Sequence, residues 1–149
     1  MIKISPPIRG QDSQGSGAFG APRGSRTHIG IDLACMKGSK VLSVCDGKVT
    51  KIGYPYSQGE PKDEWPKWER NKFLKKKALR YVQVTDSNGY DVRYFYIEPS
   101  VKVGDEVLSG WTLGAVQGLA NIYEGILEHF HFEVKKNGEI INPHTYLGE

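Results

Sequence analysis

His129-Phe130-His131-Phe132-Glu133 reads as a β-strand that carries chemistry on one face. Successive side chains of a strand point to opposite sides, so His129, His131 and Glu133 share one of them. Phe130, Phe132 and Val134 line the other, where an apolar row belongs against a core. Upstream, His28-Ile29-Gly30-Ile31-Asp32 offers another histidine and an acid, four positions apart and again on one face if extended. Two imidazoles and a carboxylate converging from these segments make the ligand set of a catalytic zinc, with a fourth position left for water. Each half is weak alone: a His-x-His on a strand is more often a pair of half-exposed polar residues.

The flanks add specificity. Phe19-Gly20-Ala21-Pro22-Arg23 leads into the first segment, and Gly38-Ser39-Lys40-Val41-Leu42-Ser43-Val44-Cys45-Asp46-Gly47-Lys48-Val49 follows it. Val103-Gly104-Asp105-Glu106-Val107-Leu108-Ser109-Gly110 reads as a hairpin further on. The second segment runs out through Asn137-Gly138 to Asn142-Pro143-His144-Thr145-Tyr146-Leu147.

In this order the motifs resemble the lysostaphin-type, or LytM-like, zinc endopeptidases, from about Phe19 to Leu147. The resemblance implies a zinc held by His28, Asp32 and His131, with His129 as the base acting on the attacking water. It implies cleavage of peptide bonds, mostly in the cross-bridges or stem peptides of peptidoglycan, or in glycine-rich peptides. Some members of the family serve mainly as binding or regulatory modules.

Two departures from the family pattern stand out. The usual Tyr-x-His-Leu segment is here Tyr94-Phe95-Tyr96-Ile97, so Tyr96 replaces a second catalytic histidine. Glu124-Gly125-Ile126-Leu127-Glu128 stands where active members usually have a small Ser/Thr-Gly turn. The Phe-Tyr-Ile feature is similar to the leukocyte-derived chemotaxins, which share fold and zinc and are regarded as signalling proteins. Tyrosine, with an ordinary pKa near ~10, cannot replace histidine as a base at neutral pH. Tyr96 is therefore either a donor to the oxyanion or a strand aromatic packed on the core. Glu133 shares the face of His131 and is either a partner that orients a ligand histidine or a rim carboxylate.

Residues 1–18 are rich in Pro, Gly and Ser and read as a flexible N-terminal arm ahead of a domain spanning 19–149. Within the domain, 41–44, 48–52, 81–85, 91–97 and 130–135 read as strands. Ser87-Asn88-Gly89 marks a tight hairpin turn. Residues 54–79 form an insertion with Trp65, Trp68 and Phe73, and Asp63-Glu64-Trp65-Pro66 opens a helix that ends in Lys75-Lys76-Lys77. The tryptophans either pack on the sheet or wall a substrate groove. The fold class is mostly β: a single-domain antiparallel sheet fold with one zinc in a groove.

Bulk properties agree. The chain has 149 residues, 38% apolar and 25% charged, with 18 glycines suited to many turns. Its net charge of +3 favours approach to anionic polymers, but no nucleic-acid motif accompanies it. No apolar run reaches the ~20 residues a membrane span needs, and the N-terminal stretch has no apolar signal core. An enzyme made in the cytoplasm would then reach a cell wall after lysis, by phage delivery or by another export route. A zinc-binding module for signalling, or for assembling a phage or secretion machine, is the alternative. Pairing 33–35 with 40–44 around Met36-Lys37-Gly38-Ser39 would hold Cys35 and Cys45 too far apart for a disulfide.

Overall fold

The computed structural model describes residues 6–12 and 14–149. Short strands β1 (Pro22–Arg23) and β2 (Arg26–Thr27) precede β3 (Ile31–Ala34), β4 (Lys40–Leu42), β5 (Gly47–Gly53) and helix α1 (Lys67–Lys77). There follow β6 (Tyr81–Asp86), β7 (Tyr90–Phe95), β8 (Ile97–Pro99), β9 (Glu106–Val107) and β10 (Thr112–Val116). β11 (His129–Lys136), β12 (Glu139–Ile141) and the one-turn helix α2 (Pro143–Tyr146) complete the order.

The larger sheet runs β12-β11-β7-β6-β5-β9, and β3 pairs with β11 as well. A second sheet runs β4-β10-β8. The pairings are antiparallel, as a mostly β, antiparallel reading requires. The β6–β7 hairpin turns where Ser87-Asn88-Gly89 marks it. Gly89 takes φ +83°, open to glycine at no steric cost, and Asp86 Oδ1 accepts from the N–H groups of Asn88 and Tyr90.

The core lies between the sheets. Val41, Leu113, Val116 and Ile97 from the smaller sheet meet Val49, Val82, Val84, Val92, Tyr94, Phe130, Phe132 and Val134 from the larger. The apolar face of β11 thus does what its alternation dictates. Tyr94 is fully buried, and its hydroxyl accepts from the Val44 N–H at 3.0 Å. That bond removes the cost of an orphaned hydroxyl, so the ring contributes its full hydrophobic share, about 1.5–3 kcal/mol.

Four expectations need correction. Residues 33–35 and 40–44 do not pair: β3 joins β11 while β4 joins β10, so the turn at Met36–Ser39 passes the chain between sheets. Cys35 and Cys45 are free thiols. The strand expected over 91–97 is broken at Tyr96, whose φ of +71° lies in the left-handed region. There the chain leaves the larger sheet as β7 and enters the smaller as β8. The Val103–Gly110 segment is not a hairpin on itself, since its strand β9 pairs with β5.

The lead segment is the fourth. Residues 1–5 and 13 lie outside the described set, but the rest of the expected flexible arm is tied to β3. Ala34 N–H donates to Pro7 O, Arg9 N–H to Asp32 O, and Asp32 N–H to Gly17 O, at 2.6–2.9 Å. The free edge of β3 presents unpaired N–H and C=O groups, and the lead satisfies them. In the insertion, α1 forms as its charge pattern predicts, but it buries none of its residues. Trp65 packs edge-on against Phe73, and Trp68 is 68% exposed, so neither belongs to the sheet core.

Candidate metal centre

β3 and β11 bring the two motifs together by register: Asp32 pairs with His131, and the two side chains fall on the same face. His28 reaches them from the loop before β3. Gly30 makes this possible. A Cβ at that position would stand 2.7 Å from Cε1 and 2.8 Å from Nε2 of His131, so the ring occupies the space where a side chain would be. This is the physical content of the glycine in His-x-Gly-x-Asp.

Three atoms converge. His131 Nδ1 lies 2.9 Å from Asp32 Oδ1 and 3.1 Å from His28 Nε2, and His28 Nε2 lies 3.2 Å from Asp32 Oδ1. The outer ring nitrogens are spoken for. His28 Nδ1 donates to Ala18 O at 2.9 Å, which leaves its Nε2 bare. His131 Nε2 donates to Glu133 Oε1 at 2.9 Å, and Arg93 Nη1 donates to the other Glu133 oxygen at 3.3 Å. Glu133 therefore orients the His131 ring from behind, as the first of its two sequence readings has it.

The electrostatics follow from burial. Desolvation works to raise the Asp32 carboxyl, but the hydrogen bond from His131 holds it well below the usual carboxylate range. For His131 desolvation works downward, and bonds to Asp32 and Glu133 overcome it and lift the imidazole to about 8. His131 Nδ1, His28 Nε2 and Asp32 Oδ1 thus face one another across one small space. These three residues could hold a metal ion. The mutual distances of 2.9–3.2 Å approach the edge of a tetrahedron built on ~2.0–2.1 Å zinc bonds, and the His₂-carboxylate donor set suits zinc.

His129 shares the face but stands aside, its Nε2 3.5 Å from Asp32 Oδ2. Its Nδ1 donates to Leu127 O at 2.7 Å, so Nε2 is bare. Burial lowers its pKa, and the nearby Asp32 charge only partly offsets this, so the ring is neutral at pH 7.

Tyr96 faces the cluster from across the groove, its ring centroid 6.0 Å from that of His129. The positive φ at the sheet-to-sheet corner turns it there. Burial first, and then the neighbouring Tyr56, drive its hydroxyl far above the ordinary value, so it is a donor and never a base. Tyr56 joins the hydroxyls of Tyr96 (3.3 Å) and Tyr123 (3.2 Å). From α1, Lys76 sits over the Tyr56 ring and Lys72 over Tyr123. The insertion thus backs the groove with lysines rather than walling it with Trp65 or Trp68. The groove encloses about 570 Å³, with Arg23 and Arg26 on its rim.

All the sequence-derived site residues, His28, Asp32, His131, His129 and Tyr96, line this groove. Sequence reasoning missed Arg9, Tyr56 and Tyr123. The phenols sit in an insertion and a loop without periodicity, and only the pairing of Tyr56 with the Tyr96 segment reveals them.

Comparison with known proteins agrees with the geometry. The family described as Peptidase family M23 matches residues 26–143. The chain belongs to that family. Leukocyte cell-derived chemotaxin-2 of Mus musculus is 33% identical over 145 residues, 97% of this chain and 82% of that protein. An uncharacterized metalloprotease of Haemophilus influenzae is 29% identical over 121 residues, but this chain spans only 21% of it. Among solved structures, the catalytic domain of lysostaphin from Staphylococcus simulans superposes with a TM-score of 0.63, covering 91% of each chain at 21% identity. That likeness establishes the lysostaphin-type fold for this M23 chain. The M23 match begins after the lead segment, whereas the chemotaxin-2 match includes it.

Proposed function

We propose that this M23 chain is a zinc-dependent endopeptidase acting on peptide bonds of peptidoglycan cross-bridges or stem peptides. The observation that carries the reading is the division of labour on one face of β11. His131 turns a ring nitrogen into the three-atom cluster, while His129, two residues away, keeps a bare Nε2 just outside it. Zinc, when bound, supplies Lewis acidity that makes water nucleophilic near pH 7 and polarises the scissile carbonyl. His129 Nε2 takes the proton of the attacking water and returns it to the leaving amine; its Nδ1–H···O=C bond to Leu127 keeps the useful tautomer throughout. Tyr96 offers its O–H to the developing oxyanion. The exposed Arg26, which lines the groove, suits substrates that carry carboxylates, as stem peptides do.

Two observations favour a second reading, a zinc-stabilised module for binding or signalling without turnover. The Tyr96 hydroxyl already has a partner in Tyr56, and the chain resembles chemotaxin-2 over nearly its whole length. The two readings separate at Tyr96. In an enzyme, Tyr96→Phe lowers kcat by about 10²-fold with zinc content unchanged, as loss of one oxyanion donor does, and Tyr96→His preserves or raises the rate. A module shows no hydrolysis in either variant. In both readings His131→Ala loses zinc by elemental analysis.

A further inference from the structure

Arg9 and Asp12 take no step in this chemistry and precede the residues matched by the family, yet their side chains are only 1% and 2% exposed. All three nitrogens of the Arg9 guanidinium have partners. Nε and Nη2 donate to Asp32 Oδ2 at 3.2 and 2.8 Å, and Nη1 donates to Asp12 Oδ1 at 2.7 Å and Gly15 O at 2.6 Å. Asp12 Oδ2 accepts from the Leu127 N–H at 2.7 Å. Leu127 O is the acceptor that fixes His129 Nδ1. Hydrogen bonds therefore link the ligand Asp32 through Arg9 and Asp12 to the Leu127 backbone, and from there to the base His129.

We infer that Arg9 and Asp12 form a clasp that positions both halves of the site, Asp32 for the metal and His129 for the proton. This deepens the metal-site reading and rests on it. With Oδ2 held by a two-pronged fork, Asp32 presents Oδ1 to His28 and His131, and turning the carboxylate breaks two bonds. With its N–H pinned by Asp12, Leu127 keeps its carbonyl under His129. Lysine cannot replace Arg9, because one ammonium cannot hold two donors on Asp32 and a third on Asp12 in a rigid plane. The approach is tight: a Cβ on Gly17 would lie 2.6 Å from Arg9 O and 2.8 Å from Arg9 Cβ. Arg9 and Asp12 are positioning residues.

The test compares wild type, Arg9→Lys and Asp12→Ala. Zinc affinity is read by competition with a chromogenic chelator, and the histidine tautomers by long-range ¹H–¹⁵N spectra, in metal-free and zinc-loaded protein. The clasp requires Arg9→Lys to weaken zinc about 10-fold or more, the usual effect of losing a partner behind a ligand. It requires Asp12→Ala to shift or broaden the His129 Nδ1–H signal, a change that general loosening with retained melting behaviour would not single out. Zinc affinity within about 2-fold of wild type together with an unchanged His129 spectrum overturns it. If Arg9→Lys does not fold, Asp12→Ala decides alone by the same two readouts. Wild type that binds no zinc sinks the metal-site reading instead, and the His129 spectrum of metal-free Asp12→Ala still judges the clasp.

Discussion

Asp32 stands directly opposite His131 in the β3–β11 ladder, and their side chains meet at 2.9 Å. Register therefore builds the candidate metal centre. A slip of one residue would send Asp32 to the core face and pull His131 away from it. The ladder in turn depends on Gly30, beside which the His131 ring lies.

Gly30→Ala tests that dependence. The new methyl must displace the His131 ring or the strand behind it, and overpacking of this kind costs about 1–3 kcal/mol. Urea denaturation of the metal-free protein is expected to show that loss, and chelator competition a weaker zinc site. Unchanged zinc affinity would mean that His131 is not held where the ladder puts it.

Much of this was legible in the sequence. The alternation across 129–134 fixes which side of β11 faces the core, because a strand offers only two faces. The Asn-Gly turn at 88–89 fixes the β6–β7 hairpin, because few residues accept its dihedrals. Long-range partnership was not legible. β3 and β4 are joined by a short turn yet belong to different sheets, and local pattern does not encode which distant strand completes a ladder. The left-handed Tyr96 was missed because an aromatic in an apolar run reads as strand interior. Arg9 was missed because Pro, Gly and Ser around it signal a loose lead, while its order comes from the edge of β3.

The insertion makes a separate prediction. α1 buries none of its residues, so replacing 58–76 by a short Gly-Ser turn is expected to leave the fold and the cooperative melt intact. Lys72 and Lys76 would be lost from behind Tyr123 and Tyr56, and binding of cell-wall fragments is expected to weaken. Unfolding of the deletion variant would show that the helix carries stability its exposure does not suggest.

The cysteines give a pH prediction away from the site. Burial pushes the Cys35 thiol up to about 11, and burial raises Cys45 as well. The thiolate is the reactive form, so a raised pKa means slow alkylation at neutral pH and a rate that climbs about tenfold per pH unit until the thiol titrates. Iodoacetamide at pH 8, followed by intact-mass spectrometry, is expected to leave the native protein largely unmodified and to label both cysteines after denaturation. Rapid native labelling of Cys35 would contradict the environment described for it.

Zinc-dependent hydrolysis is the most direct measurement. Purified peptidoglycan and a pentaglycine peptide are incubated with the zinc-loaded protein, with the chelated protein, and with His129→Ala. New amino termini are counted by mass spectrometry. The account expects cleavage by the zinc-loaded wild type alone, with His129→Ala retaining zinc but losing at least about 10²-fold in rate, as removal of a positioned general base does. Intact substrates after prolonged incubation with zinc-loaded wild type, and equally with Tyr96→His, would contradict it.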